Sequence, residues 1–130
     1  MEHKDLSGSF NAGNLYLLAK HENNEAKPWN AHPKFRGVYL KNIITGNQTE
    51  GVFSAHIVKI EESCSIGEHT HDDNTELHEI INGTGTCMIG NKEVSYTPGD
   101  CAIIPKRTLH KVVAGENGLY LLAKFFPALT

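Results

Sequence analysis

Hydrophobic residues along this chain gather in short runs rich in Val, Ile, Tyr and Phe, which is typical of β-strands. Three dipeptides between the runs, Asn82-Gly83, Gly90-Asn91 and Pro98-Gly99, predict tight turns. The second suits a two-residue hairpin, and the third suits a type II turn in which glycine takes a positive φ. Strands at this spacing predict an all-β antiparallel sandwich or small barrel. The predicted strands are 37–45, 51–60, 76–81, 86–89, 93–97, 101–105, 110–114 and 118–126.

The pattern is different in the first fifty residues. A run at 14–20 fits either a strand or a helix, and the polar stretch 21–35 carries the only tryptophan, Trp29, between two prolines. This composition favours an extended arm laid over another surface. We therefore predict that residues 1–50 form an N-terminal arm with early strands, packed on the barrel or on a partner subunit. Residues 51–126 then form the barrel itself.

The run 76–82 has apolar residues on both faces of the predicted strand. Glu76, His78 and Ile80 share one face, and Leu77 and Ile81 share the other. A sheet with water on its outer face alternates more cleanly than this, so either the arm or a second subunit covers that face. Because this face and the arm offer more apolar surface than solvated positions need, we expect a homodimer.

The composition narrows the class of protein and of partner. With 130 residues, 39% of them hydrophobic, the chain fits one ordinary domain with a real core. Twelve basic and fifteen acidic side chains give a net charge of −3, without a cluster of Lys and Arg. This balance argues against nucleic-acid and anionic-membrane surfaces. The expected partners are small molecules, as ligand or substrate, and copies of the chain itself.

The sequence also predicts where the protein is found. Its apolar runs are too short for a transmembrane helix, and the polar, acidic N-terminus does not resemble a signal peptide. Cys64, Cys87 and Cys101 are odd in number and lack C-x-x-C spacing, which fits reduced thiols that serve as small buried hydrophobes. These features predict a cytoplasmic protein.

Histidine is unusually frequent, with eight in the chain, and the candidate chemistry lies among them. His69 and His71 are two residues apart, which on a strand places both imidazoles on one face. Glu76 opens the next strand after a predicted turn, and His110 begins a later one. Three imidazoles and one carboxylate suit a divalent transition ion, namely Mn, Fe, Co, Ni or Zn. We predict one such ion per chain.

The same segment, from about residue 62 to residue 114, resembles the cupin superfamily. The cupin motifs G-x5-H-x-H-x(3–4)-E-x6-G and G-x5-P-x-G-x2-H-x3-N are matched by His69, His71, Glu76, Gly83, Gly99, Pro105 and His110. Ser63, Arg107 and Ala114 depart from the pattern, at turn or flank positions where the motifs have Gly, Gly and Asn. The resemblance implies a double-sheet barrel of the jelly-roll type (a double-stranded β-helix) with six to eight strands. It also implies that the barrel is often dimeric and carries its metal at the wider mouth.

Other polar residues near the motif have simpler interpretations, except His78. His78 shares the inward face of Glu76 and is our candidate catalytic residue, as a general base or a substrate contact, while a hydrogen-bonded core histidine is the alternative. Asp72 and Asp73 are expected to be solvated turn carboxylates, and His56 is expected to be a core residue. The remaining histidines, expected on the surface, are His3, His21 and His32.

Three classes of function fit these observations. An octahedral ion held by three histidines and one glutamate keeps two adjacent positions open. This favours a metal-dependent enzyme that acts on an oxygen-rich small molecule, and the sequence does not distinguish an isomerase from a lyase or a dioxygenase. The alternative is a non-catalytic binding or sensor module, because the segment also resembles the sugar-sensing cupin half of AraC-type regulators without their DNA-binding domain. In a third, structural role, the metal only stabilises the barrel.

Overall fold

The computed structural model describes residues 5–130, and more than half of them lie in antiparallel β-strands. In chain order the elements are α1 (Leu6–Ala12), β1 (Asn14–Tyr16), β2 (His21–Asn23), a 3₁₀ helix (Asn24–Ala26), β3 (Asn30–Ala31), β4 (Val38–Ile44), a second 3₁₀ helix (Gly46–Gln48), β5 (Ser54–Ile60), β6 (Ser65–His69), β7 (Thr75–Ile89), β8 (Lys92–Tyr96), β9 (Cys101–Ile104) and β10 (His110–Phe126).

Two long strands, β7 and β10, organise the barrel. The main path of the sheet runs β3-β4-β5-β10-β7-β8. The second half of β10 pairs with β5 while its first half pairs with β6. In the same way β7 pairs with β9 through its first half and with β8 through its second half. Each long strand thus contributes to both layers of a sheet folded over on itself, and the predicted all-β jelly-roll barrel is confirmed.

Two of the three predicted turns are present. Gly90 and Asn91 join β7 to β8 as a two-residue hairpin, with Gly90 at φ 59°. Gly99 has φ 99°, and the amide of Asp100 donates to the carbonyl of Thr97 at 3.1 Å, which closes the turn before β9. These positions have the positive φ that glycine tolerates best.

The third predicted turn, at Asn82-Gly83, is wrong, because β7 continues through it. Gly83 has φ 76°, and a Cβ there would lie 2.1 Å from the carbonyl oxygen of Gly118 on β10. The pairing of β7 with β10 shifts register on either side of this point. The glycine therefore marks a bulge within a pair of long strands, and the predicted strands 76–81 and 86–89 are halves of one strand.

The N-terminal arm lies against its own barrel. Helix α1, which the sequence did not predict, begins after the N-cap Asp5 and packs against β7 and β5. The buried ammonium of Lys41 on β4 donates to the side chain of Asn11 and, at 3.0 Å, to the carbonyl of Asn24. It also lies 5.2 Å from the centre of the Trp29 ring. Ile81 is also buried within the single chain.

Strand β4 lies within the range that we assigned to the arm, and it pairs along its length with β5. The division of the chain at residue 51 stays a prediction. In the part of the chain from residue 5 onward, no helix has the length and apolar character needed to cross a membrane.

The core fills the space between the two layers. Its members are the inward-facing residues of the long strands and of the strands paired with them, namely Val38, Val58, Ile60, Ile80, Cys87, Tyr96, Val112, Ala114, Leu119, Leu121, Ala123 and Phe125. Buried apolar surface of this extent supplies the main stabilising term and fixes the β-strands that carry the polar residues described next.

Candidate metal centre

Four side chains from three neighbouring strands meet at one end of the barrel. His69 ends β6 and His71 follows it, Glu76 lies near the start of β7, and His110 begins β10. The pairing of β6 with β10 sets His69 directly opposite His110. One potential ligand atom from each of the four residues lies within 4.8 Å of all the others. The grouping predicted from the spacing of these residues is therefore present.

Backbone hydrogen bonds orient two of the imidazoles. Nδ1 of His69 lies 2.8 Å from the carbonyl oxygen of Gly67, and Nδ1 of His110 lies 2.8 Å from that of Thr108. A carbonyl only accepts, so in each ring Nδ1 carries the hydrogen and Nε2 keeps its lone pair. Metal-binding histidines commonly have this arrangement, because the bond at Nδ1 fixes both the tautomer and the ring direction.

Two buried polar atoms at the centre have no hydrogen-bond partner. They are Oε1 of Glu76 and Nε2 of His110, which lie 3.2 Å apart. Nε2 of His71 lies 3.6 Å from the same carboxylate oxygen. In the neutral tautomer of His110 both atoms are acceptors and cannot satisfy each other, whereas a divalent cation would satisfy both. The donor set therefore fits a transition metal ion.

The charges at this cluster suit a cation as well. Burial alone would raise the pKa of Glu76, but hydrogen bonds from neighbouring imidazoles, such as that of His78 to Oε2, outweigh it and hold that pKa below its usual range. Burial lowers the pKa values of His69 and His71, which favours their neutral form. An ionised Glu76 beside neutral His69 and His71 is the state in which these groups ligate metals.

The second oxygen of Glu76 belongs to a different set of contacts. Oε2 lies 2.9 Å from Nε2 of His78, and Nδ1 of His78 lies 2.8 Å from the hydroxyl of Tyr96. His78 is thus on the inner face, as its position two residues after Glu76 predicts, and its catalytic role stays a prediction. Tyr96 was not identified from the sequence. The sequence signal that places Tyr96 inward is its position two residues after Val94 on β8, which puts both side chains on the same face of the strand.

Two turns, one before β6 and one before β10, keep the backbone shape for which the cupin motifs have glycine. Ser63 has φ 61° and Arg107 has φ 60°, and both stand where the motifs have Gly. The amide of Arg107 donates to the carbonyl of His71 at 2.8 Å, so this loop holds the segment after β6. Both residues therefore keep the left-handed backbone although they are not glycine, and the steric contacts of their Cβ atoms make this conformation cost free energy.

The remaining polar candidates lie outside the cluster. His56 is buried and hydrogen-bonded to Asn42 and Ser54, as expected of a core histidine. Asp72 and Asp73 are exposed, as expected of turn carboxylates. His21 is exposed and His32 is partly buried, while His3 lies outside the described residues.

All three cysteines are free thiols, but the prediction that they are buried holds fully only for Cys87. Cys64 is partly buried and Cys101 is exposed at the start of β9. The parity of β9 explains the difference, since its inward positions are taken by Ala102 and Ile104.

Comparison with known proteins agrees with this architecture. One similar solved structure is KdgF from Halomonas sp., with a TM-score of 0.70 and 21% identity over 80% of this chain and 89% of that chain. A second is a predicted oxalate decarboxylase from Thermotoga maritima, with a TM-score of 0.73 and 19% identity over 79% of this chain and 95% of that chain. A third is an RmlC-like cupin from Shewanella frigidimarina, with a TM-score of 0.71 and 16% identity over 83% of this chain and 90% of that chain. At these identities the likeness shows the fold. No curated protein matches the sequence.

A family model described as "Cupin domain" matches residues 56–122, which is more than half of the chain and includes all four side chains of the cluster. The chain therefore belongs to the cupin family.

Proposed function

We propose that this cupin is a metal-dependent enzyme acting on an oxygen-rich small molecule, with one divalent transition ion held by His69, His71, Glu76 and His110. The observation that carries the proposal is the pair of buried, unpartnered atoms, Oε1 of Glu76 and Nε2 of His110, 3.2 Å apart. Native proteins rarely leave such atoms unsatisfied, because each costs about 1–3 kcal/mol when buried without a partner.

The chain's own residues define how a substrate would meet this centre. His71 is more open than two of the other ligands, with 23% of its side chain exposed against 8% for Glu76 and 1% for His110. A substrate would therefore approach on the side of His71. The Phe125 ring, with its centre 5.0 Å from that of His71, forms an apolar wall there and excludes water.

A bound divalent ion would supply Lewis-acid chemistry, the polarisation of a carbonyl or hydroxyl oxygen of the substrate. Such chemistry selects molecules with oxygen ligands, such as hydroxy acids, diketones or sugar derivatives. One similar structure is named as a predicted oxalate decarboxylase, and oxalate belongs to the same oxygen-rich class. The reaction classes to be screened are therefore isomerase, lyase and dioxygenase.

The test begins with elemental analysis of protein purified without added metal, followed by loading with Mn(II), Fe(II), Co(II), Ni(II) or Zn(II). We expect about one transition ion per chain at saturation, as the ligand count requires. The loaded protein is then screened for turnover of oxygen-rich small molecules. Ligand-induced thermal shifts without turnover would instead favour the non-catalytic sensor. Failure to bind any of these ions would overturn both the proposed enzyme and a metal-binding sensor.

We also propose that the protein is a homodimer. Since Ile81 is already buried within the chain, the support comes from apolar side chains that stay exposed, among them Leu18, Ile103 and Leu109. Light scattering at micromolar concentration measures the mass directly. A strictly monomeric species would contradict the proposal.

A further inference from the structure

The carboxylate of Glu76 has two oxygens with different surroundings. Oε2 accepts a hydrogen bond from Nε2 of His78 at 2.9 Å, whereas Oε1 has no hydrogen-bond partner and lies nearest to His110. The carboxylate and the His78 ring are both almost fully buried, so water does not compensate for either contact. At any moment one oxygen of the carboxylate is therefore held by a buried hydrogen bond, and only the other faces the ligand histidines.

The His78 ring is itself held from its other side. Its Nδ1 lies 2.8 Å from the hydroxyl of Tyr96, which is 2% exposed. A flip of the ring would break both contacts at once, the one with Tyr96 and the one with Glu76. With both nitrogens engaged, this imidazole has no free atom to offer to a substrate.

The strand pairing explains why an imidazole fits at this position. On β7, His78 has alanine neighbours on both sides, Ala102 on β9 and Ala123 on β10. These small side chains leave room on the inner face between the layers. Tyr96 pairs with Gly85, in the other half of β7, so it reaches His78 only because β7 bends near Gly83.

From this geometry we infer that Tyr96 and His78 are positioning residues that hold Glu76 as a one-oxygen ligand, with Oε1 alone directed at the metal position. The inference rests on the proposed metal centre and assigns to His78 a role different from the general base predicted from the sequence. By occupying Oε2, the pair prevents the carboxylate from chelating the ion through both oxygens. A coordination position is thereby kept open for substrate.

The experiment uses Co(II) as the probe, with the variants Tyr96→Phe, His78→Gln and His78→Leu. Tyr120→Phe is the matched control, since Tyr120 lies in a surface groove beside Lys59. The dissociation constant is measured by competition with a chelator, and the visible absorption of bound Co(II) reports its coordination number. We expect binding about 10–100-fold weaker in His78→Leu and about 10-fold weaker in Tyr96→Phe, the range for partners of metal ligands.

The spectrum separates positioning from mere packing. In His78→Leu both carboxylate oxygens are free, so we expect the Co(II) absorption to change as the coordination number changes. His78→Gln keeps an amide donor for Oε2 and should lose less affinity than His78→Leu. A lower melting temperature of the metal-free Tyr96→Phe protein, with Co(II) affinity and spectrum unchanged, would show that Tyr96 only packs the core and would overturn the inference.

Failure of the inference and failure of the metal centre give different results. If wild-type protein binds Co(II) and all three variants bind it with the same affinity and spectrum, the positioning role is wrong and the metal centre stands. If the wild-type protein itself binds no Co(II), the proposed centre is wrong, and the inference with it. Should His78→Leu fail to fold, Tyr96→Phe and His78→Gln decide the question.

Discussion

Two of the buried clusters of polar side chains, one around His56 and one around Glu76, differ in how their atoms are satisfied. His56 bonds to Asn42 at 2.8 Å through Nδ1 and to Ser54 at 2.9 Å through Nε2, and the Ser54 hydroxyl also accepts from the amide of Leu129. At the metal centre, by contrast, Glu76 and His110 each keep one buried atom without a hydrogen-bond partner. The polar atoms around His56 therefore satisfy one another as a hydrogen-bonded network. Those of Glu76 and His110 are left unsatisfied, and a cation would satisfy them.

The largest expected effect separates the two groups by metal content. His69→Ala with His110→Ala removes two ligands and should abolish the roughly one ion per chain that the ligand count predicts. His56→Gln, the matched control from the satisfied network, should bind the ion as wild type does. Elemental analysis after loading and dialysis measures both. An ion retained by the double variant, or lost from His56→Gln, would contradict the distinction.

Acid should destabilise the metal-free protein through His56. Burial lowers the pKa of His56 to about 4 despite the nearby charge of Glu76, whereas the unfolded chain takes up this proton near pH 6.5. The unfolded state therefore binds more protons between these values, and stability is lost as the pH falls from about 6.5 to about 4. The loss attributable to His56 is about 3 kcal/mol.

Urea unfolding at a series of pH values measures this loss, with His56→Gln as the comparison. Because glutamine does not titrate, the variant should lose less stability over the same range. Parallel pH profiles for the two proteins would show that His56 is not the group responsible.

A smaller effect is expected when His56 is replaced at neutral pH. His56→Leu is similar in size but leaves the polar side chains of Asn42 and Ser54 without their imidazole partner. An unsatisfied buried group costs about 1–3 kcal/mol, so the free energy of unfolding should fall by about 2 kcal/mol. Denaturant unfolding checks this value, and the metal affinity should stay unchanged. A neutral substitution would mean that water replaces the imidazole.

The smallest expected effect is a gain in stability at the turn before β6. Ser63 has φ 61°, where glycine has no steric penalty. Ser63→Gly should stabilise the protein by about 0.5 kcal/mol, the relief of left-handed strain less the entropy that glycine loses on folding. The control is Gly83→Ala, which forces a Cβ against the Gly118 carbonyl and should destabilise the fold. A loss of stability in Ser63→Gly would contradict the strain argument.

The sequence predicted the metal cluster better than its surroundings. Short connections join His69, His71 and Glu76, so local periodicity groups these three, while His110 lies on a later strand and was added by the spacing of the second motif. Tyr96 approaches His78 only through the bend of β7, and no local pattern reports such a contact. The same bend explains the error at Gly83, because an Asn-Gly pair in a bulge and one in a turn have the same sequence.

Helix α1 was missed for another reason. Its sequence, LSGSFNA, holds one glycine, two serines and an asparagine, which are poor helix formers. It is held instead by the Asp5 cap and by packing on β7 and β5. Local propensity could not reveal a helix whose stability comes from the surface beneath it.

The position of β10 has a consequence for how the protein is made. This strand lies between β5 and β7 in the sheet, although both precede it in the chain. During synthesis β10 leaves the ribosome after β5 and β7, so the edges of these two strands that β10 later covers stay unpaired until then. His110, its first residue, arrives at the same moment. The four residues of the proposed metal site are therefore brought together only after the central strand is made.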